Sequence, residues 1–306
     1  MAHCSSSDLL TPELDGALTV DLEDWHSALW PTERRNLRES SVMDEHYVRR
    51  ATSILLRELE DSNVRATFFV LGEVAQAVPE LIKDISNKGH EIANHSPTHV
   101  PLWQISRSKL EPLIRRDTTL LESLTGRRPR GFRAPYFAIG RDDGWLLELL
   151  SREGYWYDSS VVPSWTPLYG IPSAPKSAYH PQISDLSKAT SKRGILEIPI
   201  TVWPPWPGLP GLPVGGGFFF RAWPEKFIIF ALKRSLKPLV LYTHPGDLDL
   251  DKARTPGLSA RDMAVQHLGS RRGFSSFQRV LREFRLGTIS DVFGTSFDTA
   301  TERNEE

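Results

Sequence analysis

The chain has 306 residues, 40% of them hydrophobic, which is enough for one large domain with a substantial core. Its 37 Lys and Arg nearly balance 38 Asp and Glu, so no global field argues for nucleic acid or an anionic membrane surface. The single cysteine, Cys4, excludes an intrachain disulfide and any multi-cysteine metal site, and it fits a reducing compartment.

Met1 to Asp8 contain no basic segment followed by an apolar core, so no secretory signal is expected. Residues 1–16 read as a flexible tail, and the expected location is cytoplasmic. Short β-branched and aromatic runs then alternate with longer segments of helical period. Strands are expected near Leu18–Asp21, Ala66–Val70, Glu91–Asn94, Gly131–Ala134, Tyr155–Asp158, Leu196–Ile200 and Leu239–Thr243. Helices are expected over Tyr47–Leu59, Glu73–Lys88, Ser106–Leu124, Asp143–Glu153 and Glu225–Ser235, with Gly89 and Gly126 as C-terminal caps. The apolar run Phe227–Leu232 ends at Lys233-Arg234 and is too short to span a bilayer. Pro163–Arg193 and Trp203–Gly217 lack a period and read as long rim loops, and the polar end, residues 296–306, reads as a second tail. The alternation predicts an α/β fold with a mainly parallel sheet, and the number of repeats favours a barrel.

Chemistry gathers at the predicted strand ends. His95 and His99, four positions apart, can hold a divalent transition metal, and Asp21, Glu23 and Asp24 at the end of the first strand supply carboxylates. Arg133, Asp158 and His244 stand at other strand ends, which converge on one face of a parallel barrel. No Gly-x-Ser-x-Gly elbow supports a serine hydrolase, and Ser96 reads as structural, through its hydroxyl.

Thr19-Val20-Asp21-Leu22-Glu23-Asp24-Trp25, Ala66-Thr67-Phe68-Phe69-Val70, His95-Ser96-Pro97-Thr98-His99, Arg133-Ala134-Pro135-Tyr136-Phe137, Tyr157-Asp158-Ser159-Ser160 and Tyr242-Thr243-His244-Pro245 occur in the order of a known family. Over Leu18 to Ser290 the chain resembles the polysaccharide deacetylases, the NodB-homology group of carbohydrate esterases, and within it the subgroup that opens on Asp-x-Glu-Asp-Trp and carries Leu-Pro-Val-Gly-Gly-Gly. The resemblance implies a distorted (β/α)7-type barrel as a single catalytic domain over residues 17–295. It implies Asp21 as general base and Asp24, His95 and His99 as ligands of a divalent metal, usually Zn2+, with Co2+ or Ni2+ as alternatives. Because Leu22 and Glu23 separate the two aspartates, Glu23 competes with Asp24 for the ligand role, and Asp24 is preferred. Arg133 is expected to hold Asp21 ionised, His244 to protonate the leaving amine, Asp158 either to hold the other ring nitrogen of His244 or to cap the following turn through Ser159 and Ser160, and the backbone N–H of Tyr136 to face the oxyanion.

Tyr136, Phe137, Trp203 and Trp206 are the expected substrate-side aromatics, with Trp103 and Trp165 as further candidates. Glu197 reads as either a satisfied structural acid or a group supporting the site. The expected reaction is removal of an N-acetyl group from an amino sugar, a sugar conjugate or a polysaccharide precursor. An amidase acting on a ureide or cyclic imide, and a carbohydrate-binding barrel without turnover, are the alternatives. The sequence leaves the oligomeric state open.

Overall fold

The computed structural model describes residues 13–25, 43–166, 169–206, 208–251 and 267–301. Each strand anticipated from the sequence is present: β1 (Gly16–Leu22), β2 (Thr67–Val70), β3 (Glu91–Asn94), β4 (Gly131–Phe132), β5 (Tyr157–Asp158), β8 (Leu196–Glu197) and β11 (Leu239–Thr243). They lie in one parallel sheet in the order β11-β1-β2-β3-β4-β5-β8, curled so that the strand ends face a common mouth. A short strand, β12 (Leu286–Gly287), lies beside the start of β1.

The helices are α1 (Glu45–Asp61), α2 (Gly72–Ala77), α3 (Pro79–Asn87), α4 (Arg107–Thr125), α5 (Gly144–Arg152), α6 (Phe218–Ala222), α7 (Glu225–Arg234), α8 (Pro245–Leu248), α9 (Ser270–Glu283) and α10 (Ile289–Thr301). The single helix expected over 73–88 is two, because Pro79 brings no N–H and Val78 leaves helical geometry at φ −129°, ψ 55°. Gly126 ends α4 in the left-handed region at φ 69°, a conformation that costs glycine nothing. Among the described residues, no helix is long and apolar enough to cross a membrane.

Alternation along β1 divides the packing. Leu18, Val20 and Leu22 join the core under the helices, whereas Ala17 joins an interior cluster with Phe69, Ala93, Tyr157, Ile198 and Tyr242. Thr19 and Asp21 share that inward parity. At the opposite end of the sheet, Glu91 accepts hydrogen bonds from Thr67, Tyr157 and both the backbone and hydroxyl of Ser290, tying the start of α10 beneath the sheet.

Both stretches read as rim loops contain structure. Residues 163–193 hold the antiparallel pair β6 (Pro181–Gln182) and β7 (Asp185–Ala189), and residues 203–217 contribute to the pair β9 (Val202–Trp203) and β10 (Leu212–Pro213). More important for the site, the Val214-Gly215-Gly216-Gly217 backbone lies along β11. Tyr242 N–H donates to Gly215 O at 2.8 Å, and Gly217 N–H to Tyr242 O at 3.1 Å. A Cβ on Gly216, at φ +142°, would stand 1.7 Å from Tyr242 O, so this approach needs glycine. Thr201 N–H donates to Val240 O at 3.0 Å, and together these contacts bridge the gap between β8 and β11 without a regular ladder. At the C-terminal end α10 runs from Ile289 through Thr301. The expected N-terminal tail and Cys4 lie mostly outside the described residues.

One buried acid makes stability depend on pH. Asp117 on α4 lies against Gly72, where a Cβ would stand 2.5 Å from its carboxylate. Burial lifts the Asp117 carboxyl to about 6, despite hydrogen bonds from Arg116. The unfolded chain gives up this proton at lower pH than the folded one, so stability is lost as pH rises from about 4 to about 6. Asp117→Asn should therefore stabilise the protein by about 2–3 kcal/mol at pH 8 and by little at pH 4. Urea unfolding at the two pH values checks this; an equal effect at both would refute it.

Candidate metal centre and active site

The sequence places acids at the end of β1 with a two-residue period. Asp21 faces inward, so Glu23 continues on the same side while Leu22 goes to the outer core and Asp24 turns away. Glu23, His95 and His99 each bring a ligand atom to one place, all within 4.8 Å of one another, and all three are buried. His99 Nε2 lies 2.8 Å from Glu23 Oε2. Asp24 instead receives the N–H groups of Trp25 at 2.6 Å and Asp44 at 3.1 Å. The preference for Asp24 is therefore corrected: the acid beside the histidine pair is Glu23.

The histidine turn is fixed from several directions. The N–H groups of Gly72 and Glu73, at the start of α2, donate to the carbonyls of Ser96 and Pro97. Asn94 Oδ1 accepts Ser96 N–H at 2.7 Å, and Asn94 Nδ2 donates to Tyr155 Oη at 2.8 Å. Ser96, at φ 79°, is thus held through its backbone and not through its hydroxyl as expected. His95 Nδ1 lies 2.8 Å from the carbonyl of Arg133, which can only accept, so Nδ1 carries the hydrogen and Nε2 the lone pair. Burial pushes His95 down to about 4, so the ring is neutral, as a ligand must be.

Asp21 sits beside this group, with Arg133 Nη1 2.7 Å from its Oδ1. Burial alone would raise the Asp21 carboxyl, but the Arg133 guanidinium, together with the nearby imidazoles of His95 and His244, outweighs it and holds the acid below its usual range. Arg133 is itself fully buried, donating also to Thr19 Oγ1 at 2.8 Å, Ser159 O at 2.9 Å and Ser159 Oγ at 2.9 Å. Its guanidinium lies 4.0 Å over the Phe69 ring.

His244 follows β11 across the mouth. Its Nε2 is 3.3 Å from Glu23 Oε1 and 4.0 Å from Asp21 Oδ2. Its Nδ1 meets Asp247 Oδ2 at 2.9 Å, and Asp247 accepts the His244 backbone N–H as well. Burial would lower the imidazole, but Asp247, Glu23 and Asp21 together raise it to about 9. Of the two roles expected for Asp158, the structure gives the turn and not the imidazole: it accepts from Ser160 Oγ at 2.7 Å and is in register with Glu197 on the next strand. Asp247 was missed by sequence reasoning. The signal is a capping box, with Pro245 at the first helical position and the acid three residues after His244.

The aromatic candidates separate. Tyr136 stands at the mouth, its ring 4.1 Å from that of His99, while Phe137 is buried against Tyr242 and Tyr169. Trp203 packs its edge on Phe227 and Phe230 of α7, which makes it a packing residue. Trp206, Trp103 and Trp165 are 68%, 58% and 72% exposed, so their faces are open to solvent.

Two imidazoles and one carboxylate, all buried and converging, fit a divalent transition metal that keeps positions open for water. With a carboxylate held ionised and an imidazole on the other side, the arrangement can take a proton from one group and deliver one to another.

Comparison with known proteins agrees with this architecture. Residues 41–153 match the family model described as polysaccharide deacetylase, and residues 159–294 match one described as a domain of unknown function, DUF3473. The chain is 34% identical over 127 residues to a peptidoglycan deacetylase-like protein of Gibberella zeae, covering 42% of this chain and 36% of that protein. It is 38% identical over 88 residues to a peptidoglycan-N-acetylglucosamine deacetylase of Bacillus cereus, covering 29% of this chain and 32% of that protein. It therefore spans about a third of the length of these relatives. A crystal structure described as a putative polysaccharide deacetylase from Mycobacterium smegmatis superposes with a TM-score of 0.58 at 19% identity, over 95% of this chain and 92% of that one, and shares its fold.

Proposed function

We propose that this chain, which belongs to the polysaccharide deacetylase family, is a metal-dependent hydrolase that removes an N-acetyl group from an amino sugar or a conjugate carrying one. The observation that carries the reading is the convergence of Glu23, His95 and His99 beside an arginine-held Asp21 and an Asp247-backed His244.

Glu23, His95 and His99 would hold the metal, with Zn2+ suited to this donor set and Co2+ or Ni2+ able to replace it. A bound divalent metal supplies Lewis acidity toward the acetyl carbonyl and makes a nearby water easier to deprotonate. Asp21, kept ionised by Arg133, takes the water proton as the oxygen attacks the carbonyl carbon. The backbone N–H of Tyr136, in the turn against His99, donates to the carbonyl oxygen as negative charge develops there. His244, charged at neutral pH by its carboxylate neighbours, gives a proton to the nitrogen as the C–N bond breaks, leaving acetate and a free amine.

Acetate release from a panel of N-acetylhexosamine conjugates, with ammonia release from ureides measured alongside, tests the substrate class. Release of acetate from at least one conjugate, abolished by a chelator and restored by Zn2+ or Co2+, is the expected result. Ammonia from a ureide without acetate from any sugar would move the assignment to a non-sugar C–N bond.

A further inference from the structure

The mechanism above uses no part of Asp158, Ser160 or Glu197, yet all three are fully buried beside it. Asp158 and Glu197 are in register at the ends of β5 and β8, both fully buried, and each keeps one carboxyl oxygen, Oδ2 and Oε2, that meets no hydrogen-bond partner among the described residues. Two acids so close and so dry hold one proton between them, and burial together with the Asp158 charge places it on Glu197. An apolar pair would fill the same volume without that desolvation cost. What an apolar pair cannot do is accept a hydrogen.

That hydrogen is the one on Ser160. Ser160 Oγ donates to Asp158 Oδ1 at 2.7 Å and accepts the backbone N–H of Ala134 at 2.8 Å. A serine hydroxyl is ambivalent, with one hydrogen that rotates to suit its partners. An acceptor-only carboxylate removes the ambiguity and leaves the lone pairs turned to Ala134. Immediately beyond Ala134 the chain enters Pro135-Tyr136-Phe137, where Tyr136 and Phe137 take left-handed backbone angles, φ 58° and 51°, without being glycine. Residues of that kind persist only when their surroundings over-determine them. Glu197 Oε1 also accepts Val161 N–H at 2.9 Å, fixing the serine segment from its other end.

We propose that Asp158, with its strand neighbour Glu197, is a positioning residue that orients Ser160 and thereby holds the Ala134–Tyr136 turn, so that the Tyr136 N–H points at the reacting carbonyl. It rests on the deacetylase reading, because that reading gives the Tyr136 N–H its task. Asp158 acts through Ser160, its hydrogen-bond donor.

The two acids are not equivalent under this assignment. Glu197→Gln keeps a neutral donor toward Asp158 and should leave kcat within about two-fold of the parent, whereas Asp158→Asn replaces an acceptor-only group with an amide that can donate as well as accept, so the Ser160 hydroxyl loses its fixed direction. Asp158→Asn and Ser160→Ala should each lower kcat for acetate release by about ten-fold or more, toward the cost of losing one oxyanion donor, with KM within about two-fold and metal content unchanged. A crystal structure of Asp158→Asn should show Tyr136 out of the left-handed region. Equal damage from Glu197→Gln and Asp158→Asn, or an unmoved Tyr136, would overturn the proposal. If Asp158→Asn does not fold, Ser160→Ala carries the same kinetic and structural readouts. A parent protein that releases no acetate would sink the deacetylase reading, while the position of Tyr136 in the variants still decides this one.

Discussion

Glu23→Gln should empty the metal centre, and Asp24→Asn should leave it filled. The two acids are adjacent, so alternation at the end of β1 sends them to opposite sides. Glu23 stands 2.8 Å from His99, while Asp24 spends its oxygens on the N–H groups of Trp25 and Asp44. Losing a ligand should weaken metal binding by more than the roughly 10- to 100-fold typical of losing an outer partner of a ligand. Asp24→Asn retains one good acceptor and gives up the charge on two hydrogen bonds, for a stability cost of about 1–3 kcal/mol. Metal content by elemental analysis after dialysis, with thermal melts of the same samples, separates the two. Full metal in Glu23→Gln, or an empty Asp24→Asn, would reverse the assignment.

That distinction was legible in principle before the structure. The run Ala17 to Glu23 reads as a buried strand whose odd positions line one face, and Asp21 and Glu23 are both odd. Weighing the acids by family spacing instead led to Asp24. The strand set and the gathering of His95, Arg133 and His244 at strand ends were legible too, because periodicity and parallel topology determine both. The partner of His244 was not, because one carboxylate looks like another in sequence and only the local helix start at Pro245 brings Asp247 back onto the ring. Likewise, nothing in the composition of 203–217 announces that its glycines pave the edge of β11. That role depends on a backbone-to-backbone approach to Tyr242 so close that a Cβ on Gly216 would stand 1.7 Å from its carbonyl oxygen. The aromatic residues divided for a similar reason: Trp203 and Trp206 share a proline-rich stretch, but only one finds Phe227 and Phe230 beside it.

Asp21→Asn should abolish turnover while the metal stays, and it should also cost stability, because the same carboxylate serves two purposes. In the proposed mechanism it takes the water proton as base, and an amide cannot; loss of a general base lowers kcat by about 100- to 10,000-fold. As counter-ion it compensates Arg133, which is buried with no exposed surface, and breaking such a pair from one side costs about 3–5 kcal/mol. The lower part of that range is expected here, since Arg133 keeps Thr19, two bonds to Ser159 and the face of Phe69. A double variant tells the two purposes apart. Asp21→Asn combined with Arg133→Met removes the stranded charge, so it should recover much of the lost stability and none of the activity. Denaturant melts and kcat on the four proteins of the cycle check this directly. An Asp21→Asn protein that loses its metal would show that Asp21 is a ligand, and one that keeps kcat within about ten-fold would remove it from the role of base.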